Sequence, residues 1–393
     1  MRYRYSKGPN GILEKKAVIY TSDEHCINPA DVDIDAKIII KKLKNAGFDT
    51  YIVGGAVRDL ILGKKPKDFD IASAASPARI KKIFRNSRII GRRFRLVHVY
   101  SGQRVFEVAT FRSLRDGHTS NTFGTIDEDV LRRDFTLNAL YYDPEQQIVV
   151  DYVGGMDDIK KKQIKPVIAL SEIFTDDPVR MVRAVKYAAI TGFSLPLNLK
   201  MKISLKSGLL SSISPSRLTE EIFKIINSEK AFEIVDLLNK MGLYCYMQPQ
   251  ASQLMRKDAI FKNDYLQTMS KLKGEKNLRG DALGALFCDY LDSVWRLHPD
   301  EPADKGNGWK SGAIDNFKEI CSAAKTFIFP MNPPRYELEY TVRKFLTLRG
   351  ISIKRSMPKS IHSGEGDAQA AKRKRRRRKK EIEAKAHEPV RRN

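Results

Sequence analysis

The stretch "FDTYIVGGAVRDLILGKKPKDFDIAS" (residues 48–73) constrains this chain more than any other. A short apolar strand runs into Gly54–Gly55, "AVRDLILG" reads as a helical turn or two, and "DFDIAS" opens the next strand. Two glycines closing a strand permit a tight turn whose backbone N–H groups can approach an anion. An ordinary strand-to-helix turn would use the same pair, so the glycines alone leave both readings open. A Walker loop is excluded, because the spacing from Gly55 to Gly63–Lys64 is wrong and Lys65 stands where Ser or Thr is required.

The segments on either side extend this pattern. "DIDAKIIIKKLKNAG" carries apolar residues at helical spacing and stops at Gly47, and "SPARIKKIF" begins with a Ser–Pro helix start. "RLVHVYS" and "RVFEVATFR" alternate as strands around a turn at Ser101–Gly102. From "DDPVRMVRAVKYAAITGF" onward nearly every segment has helical period, with Pro178 suited to the first turn of the opening helix. The expected class is α+β: a polar arm at 1–30, an α/β head at 31–165, helical regions at 166–245 and 246–350, and a tail at 351–393. The tail contains "KRKRRRRKK" and lacks the apolar surface needed to fold alone.

The chain has 71 Lys and Arg against 47 Asp and Glu, a net charge of +24, which favours anionic partners: nucleic acid or an acidic membrane surface. No apolar window approaches the length of a membrane span, and the basic N-terminus lacks the apolar stretch of a secretory signal, so a cytoplasmic protein is expected. Cys26, Cys245, Cys288 and Cys321 have neither zinc-ligand spacing nor a CxxC pair and read as reduced, mostly buried thiols.

In a strand, residues i and i+2 share a face, so Asp68 and Asp70 are expected to project together and to hold Mg²⁺ beside a phosphate-bearing substrate. A third acid is available twice, as Glu107 in "FEVATFR" or Asp134 in "LRRDFTLNAL"; Asp134 could instead pair with Arg132 or Arg133. Arg58 follows the glycine pair as a phosphate clamp. Asp177 and Arg180 fall at i and i+3, either as an intrahelical ion pair or as a base reader. In the second reading the carboxylate accepts from an exocyclic amine while Arg180 donates to the ring nitrogen, an edge offered by adenine and cytosine but not by guanine or uracil. Arg183, one turn on, could reach a triphosphate.

Together and in this order, "VGGAVRDLILGKKPKDFD", "RRDFTLNALYY", "DYVGGMDDI", "DDPVRMVRAVKYAA" and "SRLTEEIFKII" resemble the bacterial poly(A) polymerase and tRNA CCA-adding enzyme family of class II nucleotidyltransferases. The stretch "GRRFRLVHV" and the basic tail are similar to the poly(A) polymerase branch. The resemblance implies a nucleotidyltransferase palm with a mixed sheet, followed by a helical neck that reads the base and binds RNA, a helical body and a disordered basic tail. It implies Asp68 and Asp70 as metal ligands and Asp134 as the third catalytic acid. It gives Gly54, Gly55, Arg58 and Arg133 to phosphate and sugar, and Asp177, Arg180 and Arg183 to base and phosphates. The implied reaction is template-independent transfer of AMP from ATP to RNA 3′ ends with Mg²⁺ or Mn²⁺, by a monomer working with proteins of RNA decay. CCA addition to tRNA and a non-catalytic RNA-binding role are the alternatives. The chain departs from the family where Asp176 replaces Glu and Lys186–Tyr187 replaces Arg–Phe, and its body is short, with "HPDEPADKGNGWKSG" as a degenerate loop.

Overall fold

The computed structural model describes residues 2–7, 13–91, 96–113, 123–272, 279–295 and 317–351. "GRRFRLVHV" lies partly outside the described residues, and the loop at 298–312 and the basic run at 372–380 lie wholly outside them.

Nine strands form one sheet: β1 (Arg2–Lys7), β2 (Leu13–Tyr20), β3 (Thr50–Val53), β4 (Asp70–Ser73), β5 (Ser87–Ile90), β6 (Leu96–Ser101), β7 (Arg104–Thr110), β8 (Leu140–Asp143) and β9 (Ile148–Asp151). Their order is β1-β2-β9-β8-β3-β4-β7-β6-β5. Every neighbouring pair is antiparallel except β4 and β7, which run parallel with Ile71 opposite Val108. That one parallel step sets the beginning of β4 beside the middle of β7, and the candidate site grows from it.

Residues 2–7 and 13–20, expected within a polar arm, supply instead two strands at one edge of the sheet. β1 pairs with β2, and Val18, Ile19 and Tyr20 pair with Asp151, Val150 and Val149 of β9. "RYRYSK" is too polar to read as a strand, but an edge strand needs little apolar surface once a neighbour takes up its hydrogen bonds. On the face of the sheet shared with the site, Ala17, Tyr51, Val53, Ala72, Phe111, Tyr141 and Val150 pack together. The rings of Tyr51, Phe111 and Tyr141 lie 6.0–6.5 Å apart, edge-on or tilted.

The helix Ile34–Asn45 buries Ala36, Ile39, Ile40 and Leu43, the i, i+3, i+4, i+7 stripe of an amphipathic helix. The Asp33 carboxylate caps its start by accepting from the Asp35 and Ala36 N–H groups, and the chain leaves it at Gly47, with φ +85°. Past Asp151 the described residues contain helices and no strand of the sheet, beginning with Gly155–Lys160 and Val179–Thr191. Gly155 is required where it stands: a Cβ there would come 2.3 Å from the Thr136 carbonyl oxygen. Pro215–Ile226 and Ala231–Lys240 continue the helical part, and Tyr244 and Tyr265 share a buried hydrogen bond of 2.9 Å within it.

Internal contacts gather the described residues up to Trp295, with Lys318–Val342, into one unit. A second, small unit contains Phe317 and Arg343–Ile351, in which the Arg343 guanidinium lies 4.3 Å from the centre of the Phe317 ring. The four cysteines are free thiols, but none is buried. Cys26 is exposed at a turn with φ +55°, and the other three are half-buried, which corrects the expectation of a mostly buried set.

Candidate active site

A cleft of about 710 Å³ is bounded by β3, β4 and β7 on the sheet side and by Val179–Thr191 on the helical side. Its lining holds six arginines and six carboxylates and no lysine. Guanidinium forks match phosphate oxygens two at a time, which an ammonium cannot do.

The acidic end is built by strand register. Asp70 opens β4 opposite Val53, the last residue of β3, and Gly54 follows at once. Gly54 has φ +72° and ψ −134°, a conformation open essentially to glycine alone. A Cβ at Gly54 would lie 3.6 Å from Arg133 Nη1 and 3.9 Å from Asp70 Oδ2, so this backbone is the floor between acid and guanidinium. The parallel pairing brings Glu107 beside Asp70, while the Glu107 carboxylate is also 3.4 Å from His98 Nε2. Loss of water, then the Glu107 charge and more weakly Asp68, push the Asp70 carboxyl up, with Arg133 opposing them.

Asp68 lies just ahead of β4, and its charge is among those that raise the Asp70 carboxyl. The ladder begins at Asp70, Phe69 turns into the core, and Asp68 stays exposed outside the cleft lining. Among the described residues no three His, Cys, Asp or Glu side chains converge tightly enough to hold a metal ion. The donor chemistry nevertheless fits one: hard carboxylate oxygens that repel one another are what Mg²⁺ or Mn²⁺ neutralises.

Arg133 is held on three sides. Its Nε donates to Tyr141 Oη at 2.9 Å, Nη1 to the Asn138 carbonyl at 3.1 Å, and Nη2 to Asp129 Oδ2 at 3.1 Å. Tyr141 Oη itself donates to Asp129 at 2.7 Å. Burial acts to lower the guanidinium's pKa, but Tyr141 and Asp129 outweigh it and hold the charge. Nothing in the sequence singles out Asp129; it sits one turn before Arg133 in "IDEDVLRRD", where several acids compete for the role.

Asp134 is buried, with Oδ1 accepting from the Phe135 N–H at 2.8 Å and from Asn138 Nδ2 at 3.3 Å. Its Oδ2 lies 3.8 Å from Arg183 Nη1, so its cationic neighbour is Arg183. Arg58 sits behind the glycine turn, outside the lining: Nη1 donates to Asn138 Oδ1 at 2.9 Å, and Nε and Nη2 engage Asp59. A Cβ on Gly55 would be 3.5 Å from Arg58 Nη2.

At the other end, Asp177 is not on the helix with Arg180. It is extended at φ −145°, ψ 98°, because Pro178 starts the helix after it, and its Oδ1 accepts from the Val179 N–H at 3.1 Å. Arg180 pairs with Asp176 at 2.7 Å and donates to the Arg132 carbonyl, while Asp177 Oδ2 accepts from Arg217. Both Asp177 and Arg180 line the cleft without touching each other as an ion pair. Arg183 donates twice to Glu221 Oε1, at 3.1 and 2.9 Å. Arg217 and Glu221 both come from Pro215–Ile226. Their block "SRLTEEIFKII" was part of the resemblance, but nothing in the spacing aimed them at this cleft.

Residues 50–165 match the "Poly A polymerase head domain" family, and residues 192–255 match a second family described as "Probable RNA and SrmB-binding site of polymerase A". Over these stretches the chain is similar to poly(A) polymerases and CCA-adding enzymes. It is 38% identical over 255 residues to poly(A) polymerase I of Escherichia coli O6:H1, covering 61% of this chain and 55% of that one. It is 36% identical over 262 residues to the CCA-adding enzyme of Geobacillus kaustophilus, covering 65% and 62%. The chain thus spans little more than half the length of the curated relatives it matches. Among solved structures, the Bacillus stearothermophilus CCA-adding enzyme in complex with CTP superposes with a TM-score of 0.55 at 25% identity, covering 81% of this chain and 83% of that one. The mixed sheet with a helical C-terminal part is therefore the nucleotidyltransferase fold of this family.

Proposed function

We propose that the chain transfers AMP from ATP to RNA 3′ ends without a template. The observation that carries this reading is one cleft with an acidic end at Asp70 and Glu107, arginines along its length, and Asp177 with Arg180 at the far end. A nucleoside triphosphate has the same sequence of needs: a cation site for its phosphates, donors for its oxygens, and a donor–acceptor pair for its base.

Asp70, with Asp68 and Glu107, would hold Mg²⁺ or Mn²⁺, which when bound supplies the charge that favours attack of an RNA 3′-hydroxyl on the α-phosphorus and departure of pyrophosphate. Glu107 is the acid whose charge Asp70 feels most strongly, which favours Glu107 over Asp134 as the third member of that set. Arg133, fixed by Asp129 and Tyr141, meets the phosphates beside the Gly54 backbone. Arg183, fixed by Glu221, supports the nucleotide from the helical wall. Because these donors are placed before substrate arrives, catalysis rests on positioning and electrostatic preorganisation, without a covalent intermediate.

The RNA itself has a place to go. Residues 178–219 contain seven Lys and Arg and no Asp or Glu, and they run from the base-reading helix into the region whose family description names RNA. Asp177 and Arg180 accept cytosine and adenine alike, so the choice of AMP rests on the poly(A) polymerase relatives and on "GRRFRLVHV". CCA addition stays the second reading, favoured by the CCA-adding relatives. Asp70→Ala tests the catalytic assignment: AMP incorporation into RNA should fall by at least about 10³-fold while RNA affinity stays within about twofold. Loss of RNA binding in that variant, or retained incorporation, would overturn it.

A further inference from the structure

Tyr187 lines the cleft seven residues beyond Arg180 and four beyond Arg183, on the same helix face. At 1.5 Å per residue that sets it about 10 Å along the wall from Arg180. Its ring is held firmly: edge-on to Phe135 with centroids 6.0 Å apart, 5.5 Å from the Arg58 guanidinium and 5.3 Å from Lys186 Nζ. Its hydroxyl, by contrast, makes no hydrogen bond with any described residue.

The neighbours decide what such a hydroxyl could meet. Phe135 brings the buried Asp134 carboxylate alongside, and among the described residues Asp134 Oδ2 has only Arg183, at 3.8 Å. Burial first and then the Asp134 charge push the Tyr187 phenol well up, so it remains a neutral O–H donor at any working pH. A carboxylate next to a phenol is a poor place for a phosphate, which the carboxylate repels. The base belongs to the Asp177–Arg180 end. A sugar hydroxyl suits the spot, because it can donate to the carboxylate while accepting from the phenol.

We propose that Tyr187 reads the sugar of the incoming nucleotide, gripping one ribose hydroxyl jointly with Asp134. The proposal rests on the nucleotidyltransferase reading and adds a specificity contact to it. Tyr187→Phe keeps the ring and removes only the hydroxyl. The test is equilibrium binding of ATP, 2′-deoxy-ATP and 3′-deoxy-ATP to the full chain and to Tyr187→Phe, with Ca²⁺ in place of Mg²⁺ to prevent turnover. The wild type should prefer ATP over one of the two analogues by at least about tenfold, and the variant should cut that preference about fivefold while binding the analogue unchanged. Equal weakening toward all three nucleotides, the sign of a merely structural role, would overturn the proposal, as would an undiminished preference. Binding needs no turnover, so a wild type that binds ATP but extends no RNA sinks the transfer reading alone, and the ratio still judges Tyr187. A wild type that binds none of the three overturns both.

Discussion

Glu221 ties the helix Pro215–Ile226 to the wall of the cleft, and its replacement should be costly in a pH-dependent way. Its side chain is 3% exposed and faces three cations: Arg183 at 2.9 Å, Lys186 Nζ at 3.1 Å and Lys224 Nζ at 3.4 Å. Burial by itself would raise the carboxyl, but Lys186, Arg183 and Lys224 outweigh it and hold the group at about 2, against an ordinary value of 4.5. Burial lowers the Lys186 ammonium at the same time, so this pair depends on Glu221 staying ionised. The displacement from 4.5 is worth about 3 kcal/mol at neutral pH. Because the folded carboxyl is the stronger acid, that stabilisation is complete well above about pH 4.5, falls to about 1.4 kcal/mol by pH 3 and vanishes below about pH 2. Glu221→Gln should therefore lower the unfolding free energy by about 3 kcal/mol at pH 7, or roughly 6 °C in melting temperature for a unit of this size. Denaturant unfolding of both proteins at pH 7 and pH 3 measures it. A variant as stable as the wild type at pH 7, or a deficit that does not shrink at pH 3, would refute the electrostatic argument.

Gly54→Ala places a side chain at φ +72° and ψ −134° and should cost about 1–3 kcal/mol. Its methyl pressing toward Asp70 and Arg133 should also lower nucleotide transfer at least about tenfold; a fully active alanine variant would show that the turn does not position those groups. Asp129→Asn removes the charge that holds Arg133 and Tyr141, so steady-state kinetics should show kcat/KM for ATP falling about tenfold or more. Unchanged kinetics would mean that Arg133 is set by the Asn138 carbonyl and Tyr141 alone.

What the sequence disclosed was what local rules decide. The glycine turn, the strand that begins at Asp70 and the helix that opens after Pro178 follow from residues within a few positions of one another. Glycine, proline and hydrophobic period report directly on backbone conformation. Partner choice is another matter. Arg183 finds Glu221 38 residues away, Arg217 crosses 40 residues to Asp177, and Arg133 selects Asp129 from three acids in one helical turn. A chain with 47 acids offers too many candidates for spacing to pick among them. The helical pairing of Asp177 with Arg180 misleads for a local reason: the period is right, but the helix begins at Val179, two residues too late to include the acid. The N-terminal strand β2 is hidden because it becomes a strand by pairing with β9, about 130 residues on.

Primer extension reads AMP addition to RNA at the product itself. An unstructured RNA oligonucleotide and a tRNA lacking its last three nucleotides would each be offered the four nucleoside triphosphates singly with Mg²⁺, beside Asp70→Ala. Long products are expected on the oligonucleotide with ATP alone, and none with the variant. Efficient CTP incorporation confined to the shortened tRNA would contradict AMP addition and move the chain to CCA addition, while no extension of either acceptor would leave an RNA-binding protein on a nucleotidyltransferase fold.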